Sequence, residues 1–127
     1  MNAPDPRAAL AARCLMALIF VVAGVRKLLA YGATQGYFES LGLPLPAVVL
    51  PLTIAFELGG AAALVAGWRL AWVAPAMAAF SILTALSAHR FWAAPPELYS
   101  SQLNHFLKNV AMCGGFVLLA AVAPRKR

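Results

Sequence analysis

The stretch Ala47 to Gly67, AVVLPLTIAFELGGAAALVAG, carries one charge, Glu57, in an otherwise almost wholly apolar run. It is long enough to cross a hydrocarbon core of about 30 Å as a helix. A lone carboxylate at mid-bilayer depth costs roughly 2.5 to 3.5 kcal/mol on insertion scales, so such a residue faces protein or a polar cavity and marks a site. Which groups meet Glu57 is therefore the question around which the rest of the chain is read.

Three further apolar segments flank that run, and with it they use most of the 127 residues. The predicted spans are about 8–30, 47–66, 70–88 and 106–123. Hydrophobic residues make up 63% of the chain and charged ones 11%, against roughly 25% charged in soluble domains. The expectation is an all-α integral membrane four-helix bundle, residues 1–127 forming one domain, without room for a soluble catalytic module. The first segment resembles a secretory signal, but Asp5 lies in its leading region and Arg26 and Lys27 would directly follow a cut near Ala23 and Gly24. It is read as a retained span.

A net charge of +6 would suggest nucleic acid as a partner in a soluble protein. Here the basic residues flank apolar segments and are assigned to orientation, with the lipid bilayer as partner and no nucleic acid. Four crossings place Arg7, Arg13, Arg69, Arg125, Lys126 and Arg127 on one side and Arg26, Lys27, Arg90 and Lys108 on the other. Both termini are thus expected in the cytoplasm. Cys14 and Cys113 differ in expected depth and form no Cys-x-x-Cys, which argues against a thiol relay carried by this chain alone.

Along the chain, Pro6 precedes a helix start near Arg7. Tyr31 to Leu45 reads as a loop broken by Gly32, Gly36, Gly42 and Pro44, either a free linker or a short interfacial turn. Gly59, Ala63 and Gly67 form a small-xxx-small series suited to close helix packing. Pro75 is placed to kink the third helix, and Ser81, Thr84 and Ser87 can bond their own backbone. Ala93 to Ser101 reads as a second external loop.

The candidate site gathers polar groups expected in the external half: Lys27, Glu57, His89, Trp92, Lys108 and Asn109. A lysine about 4 Å from Glu57 would supply about 4 kcal/mol of attraction at an effective dielectric of 20, offsetting much of the insertion cost. The pair would serve either to specify the fold or to handle a ligand or proton. His89 competes between a bonded interfacial histidine and a functional one, and His105 sits nearer water. Axial haem ligation by these two is disfavoured because both lie near helix ends. Trp92 and Phe91 suit a membrane belt, or a wall on which a flat ring stacks.

Five stretches in order, AGVRKLL (Ala23 to Leu29), LGLP (Leu41 to Pro44), ELGG (Glu57 to Gly60), HRFW (His89 to Trp92) and FLKNVAMCGG (Phe106 to Gly115), resemble the DoxX family of small four-helix bacterial membrane proteins. The resemblance implies a multi-pass protein of the bacterial inner membrane, working beside another redox protein or subunit. It suggests a non-autonomous subunit of a quinone-linked oxidoreductase with no intrinsic cofactor, in which the six site candidates match the family's polar positions. A quinone has carbonyls to which lysine, histidine or asparagine can donate. The competing classes are a small-molecule permease or export component, with Glu57 as a proton-coupled gate, and a non-catalytic assembly partner.

The charge distribution yields a direct test of orientation. A cysteine replacing Gly36 or Glu97 should react with an impermeant thiol reagent in intact cells, and one replacing Arg69 should not. Labelling at the Arg69 position alone would reverse the topology.

Overall fold

The computed structural model describes residues 5–124, so Arg125 to Arg127 of the charge argument lie outside the described residues. Those described form α-helices, a 3-10 turn and no strand. In order they are α1 (Pro6–Leu29), α2 (Tyr31–Ser40), α3 (Pro46–Ala66), α4 (Leu70–Ala88), the 3-10 turn Phe91–Ala93, and α5 (Pro96–Val122). Among the described residues, four helices are long and apolar enough to cross a membrane: α1, α3, α4 with the turn that follows it, and α5. The chain read as a single domain divides into two compact units, one ending at Trp68 and the other beginning at Arg69.

In the first unit α1 packs along α3, and α2 packs on α3. Asp5 caps α1, its carboxylate accepting from the Arg7 amide at 2.9 Å, with proline in the first turn. The helix ends at Ala30, and α2 starts at the next residue. Ten of the fifteen residues expected as loop are therefore helical, and Gly32 and Gly36 do not break the helix. A methyl group at either glycine would meet nothing. Burial of Phe38 with Leu50 and Ile54 stabilises this short helix against the roughly 1 kcal/mol cost of each glycine. The break comes instead at Gly42, at φ +76, where the Leu43 amide returns to Phe38 O and the Gly42 amide to Glu39 O. With Leu43 also packed on the Phe38 cluster, this is a Schellman termination.

The same device ends α3. Gly67 lies at φ +73, with Trp68 N–H on Ala63 O and Gly67 N–H on Leu64 O. Arg13 of α1 adds a donor from outside the helix, its guanidinium 3.0 Å from Leu64 O. A residue assigned to orientation thus also caps a neighbouring helix, where a cation meets the negative end of the dipole.

The small-residue series holds in part: Ala63 is buried and a side chain at Gly67 would run into Arg13 of α1, but Gly59 faces no neighbour. A Cβ at Gly59 would meet open space, whereas one at Gly24 would lie 2.6 Å from Cδ2 of Leu58 and 2.7 Å from its Cγ. Gly24 on α1 is the position of close approach. Regular spacing alone did not mark Gly59 as open, because contact depends on which face meets the neighbour.

In the second unit α4 packs along α5, and the 3-10 turn packs on α5. Ser81, Thr84 and Ser87 bond the carbonyls of Met77, Phe80 and Leu83 at 2.8 to 2.9 Å, as expected of hydroxyls in an apolar helix. α5 begins at Pro96, well before the expected start, so the second loop is short. Hydropathy marks where a helix enters hydrocarbon, while proline at the first position and Glu97 in the first turn mark where its hydrogen bonding begins.

The Gly24 contact generates a stability test. Gly24→Ala should cost about 1 to 3 kcal/mol through overpacking, measured by denaturant unfolding in mild detergent. In a Leu58→Ala background the added cost should fall markedly. An equal cost in both backgrounds would show that Leu58 is not the obstacle.

Candidate functional site

Glu57 is 4% exposed and sits on α3 about 17 Å from the helix start at 1.5 Å per residue. Lys27, in the last turn of α1, places Nζ 2.9 Å from Glu57 Oε1. The pairing expected from the insertion cost is therefore made within the first unit, and by Lys27. Oε1 is shut off from solvent and, apart from that ammonium, has no hydrogen-bond partner among the described residues. At this distance the gross attraction is about 6 kcal/mol at an effective dielectric of 20. Lys27 remains 23% exposed along its side chain, so its aliphatic stem crosses apolar surface while the head reaches inward.

The second unit holds a separate cluster. His89 terminates α4, and its Nδ1 lies 3.0 Å from Gln102 Oε1. His105 stacks on His89 with ring centres 5.0 Å apart and planes 27° from parallel. Lys108 Nζ lies 3.2 Å from His105 Nδ1. Gln102, His105 and Lys108 recur every third residue of α5, which brings them to neighbouring positions on its surface.

An aromatic group adjoins these side chains in the sequence. Phe91 meets Trp92, Tyr99 and Phe106 edge to face at 5.1, 5.9 and 5.2 Å, and Trp92 meets Phe106 at 5.9 Å. Such geometry aligns the positive ring edge with a negative face. Trp92 is 55% exposed.

Asn109 differs from its neighbours. It is buried, and its Nδ2 donates to Ser81 O at 3.2 Å. That bond ties α5 to α4, an interhelical amide contact of the kind that holds membrane helices together.

Of the six candidates, the structure brings Lys27 and Glu57 together in one unit. His89, Trp92, Lys108 and Asn109 lie in the other, on or beside the contact of α4 with α5. Gln102 and His105 complete the second cluster; the three-residue spacing from Gln102 to Lys108 was the available signal for them. The stacked imidazoles lie face alongside face, while axial haem ligands must stand on opposite sides of a macrocycle. Among the described residues no group of three or more His, Cys, Asp or Glu side chains converges for a metal ion, and both cysteines are free thiols.

Comparison with known proteins agrees with the membrane-spanning fold. The DoxX family matches residues 8–90, which takes in Lys27 and Glu57, reaches His89, and leaves Phe106 to Gly115 outside the match. Inner membrane protein YqjF of Escherichia coli (strain K12) is 39% identical over 115 residues, covering 91% of this chain and 83% of that protein. Inner membrane protein YphA of the same organism is 30% identical over 123 residues, covering 97% and 88%. No solved structure matches the chain significantly. With four apolar spans and a family match over most of its length, the chain belongs to the DoxX family and is a multi-pass protein of the bacterial inner membrane.

Proposed function

We propose that this protein is a membrane subunit of a redox system and binds a quinone-like molecule at the polar and aromatic cluster of its second unit. The observation that carries this is the stacked His89 and His105 pair, held by Gln102 and Lys108, next in sequence to the aromatic group Phe91, Trp92 and Phe106. Binding sites for flat organic molecules are mostly apolar, with a few convergent polar groups that fix orientation. Imidazole and ammonium donors suit a quinone carbonyl, and the exposed Trp92 offers a face to its ring. A second redox protein is the expected partner, because no cofactor motif stands in the chain to pass electrons onward.

Asn109 has no direct part in this reading. One of its donors is committed to Ser81 O, and its loss would act through packing.

The buried pair of Lys27 and Glu57 favours a second reading, in which the protein is a proton-coupled permease or an assembly partner. A carboxylate in a span, paired by one partially exposed lysine, is suited to a gate and equally to a fold-specifying contact. In the first case Glu57→Gln should abolish proton flux into proteoliposomes under an imposed pH gradient while the protein still inserts. In the second, Lys27→Met should destabilise by about 3 to 5 kcal/mol by leaving a buried charge unpaired, and Lys27→Met with Glu57→Gln should recover much of that loss.

The leading reading is tested by titrating a short-chain naphthoquinone against purified protein. Losing one neutral donor should weaken binding by about 0.5 to 1.5 kcal/mol and losing a charge-assisted one by about 1.5 to 3. His105→Ala and Lys108→Met should therefore bind less tightly, and Lys27→Met should match wild type. Unchanged affinity in both second-unit variants would remove the site from this cluster.

A further inference from the structure

Lys108 is an exposed cation on a helix that crosses the membrane. α5 has 27 residues, about 40 Å at 1.5 Å per residue, whereas the hydrocarbon core is roughly 30 Å thick. Its charged residues, Glu97 and Lys108, and most of its polar ones stand in the first half, and Val110 to Val122 carries no charge. The excess length therefore falls at the start of the helix, outside hydrocarbon.

Two observations put the Lys108 ammonium at headgroup depth. Its Nζ lies 3.2 Å from Nδ1 of His105, three residues nearer the helix start, so the side chain reaches back out of the hydrocarbon. Trp92, which is exposed, meets Phe106 edge to face at 5.9 Å, and an exposed tryptophan favours the interface between membrane and water.

The charge at that depth has no counter-charge in its own unit. The described residues of the second unit include one carboxylate, Glu97, eleven positions before Lys108 and about 16 Å away along the helix. Among the described residues Lys108 makes no ion pair, and its polar contact is an imidazole. One of its three N–H groups faces that ring, and two remain. Asn104, exposed one turn earlier on the same face of α5, adds an amide donor.

We propose that Lys108, with Asn104 beside it, holds the phosphate of an anionic phospholipid in the leaflet where α5 begins. A phosphate oxygen accepts a charge-assisted hydrogen bond from the ammonium, and the amide donates to a second oxygen. A zwitterionic lipid carries its own cation, which repels Lys108 and competes for the same oxygens, so the site selects a headgroup of net negative charge. The site does not depend on the quinone reading, since the ammonium has donors enough for both.

The test is native mass spectrometry of the protein released from an uncharged detergent, with graded phosphatidylglycerol or phosphatidylethanolamine of the same acyl chains. The first phosphatidylglycerol should bind about fivefold more tightly than phosphatidylethanolamine, the equivalent of the roughly 1 kcal/mol that one basic residue contributes near an anionic surface. Lys108→Met should remove that preference and Lys108→Arg should retain it. Arg7→Met, which takes the same charge from an exposed position two residues from Asp5, should leave it unchanged. Equal affinity of wild type for the two lipids, a loss in Arg7→Met as large as in Lys108→Met, or a loss in Lys108→Arg would each overturn the proposal. Displacement of phosphatidylglycerol by millimolar inorganic phosphate would assign the site to free phosphate and overturn the lipid as its occupant. The naphthoquinone titration is run without phospholipid, so its failure leaves this result standing.

Discussion

A carboxylate on an apolar helix has to be neutralised where it stands, and in this chain Lys27 does so for Glu57 at 2.9 Å. That one requirement constrains the first unit. It sets which face of α3 turns towards α1, and it requires the two backbones to lie close enough for a lysine in the last turn of α1 to reach a carboxylate about 17 Å along α3. Gly24, one turn before Lys27, allows that approach, because any side chain there would run into Leu58, the residue next to Glu57. The ion pair and the glycine belong to one contact.

The helix ends answer a constraint of their own. The last carbonyls of a helix have no partner within it and must find one elsewhere. At Gly42 and Gly67 the chain turns into the left-handed region and returns two amides to the last carbonyls. Arg13 supplies a further donor at the second of these ends. The arginine thus meets two demands at once: a basic flank for the span and a cap for its neighbour. A count of flanking charges registers the first and cannot register the second.

Where physical chemistry acts through composition, the sequence was informative. Four spans, the helical class and the pairing of Glu57 with a lysine all follow from the cost of polar groups in hydrocarbon. Boundaries were less legible. α2 forms through Gly32 and Gly36 because Phe38 is buried on residues of α3, a tertiary effect that local propensity does not carry. α5 starts at Pro96 because hydrogen bonding extends into the interfacial region beyond the apolar stretch. Within the candidate site, Lys27, Glu57, His89 and Lys108 were named from charge and position. His105 was weighed and set aside as nearer water, and Gln102 was passed over because alone it is an ordinary polar residue near the expected helix start.

The chemistry of the second cluster comes from how its members are joined. His89 and His105 are the same residue type, yet their Nδ1 atoms meet different partners, the Gln102 amide oxygen and the Lys108 ammonium. Neither partner is a carboxylate, so this arrangement relies on hydrogen-bond direction, whereas the Lys27 and Glu57 pair relies on charge. An ion pair in a span compensates its own charges and leaves little with which to recognise a neutral molecule. Within this fold, then, the charged pair holds α1 against α3 in the first unit, and the stacked imidazoles join the end of α4 to α5 in the second.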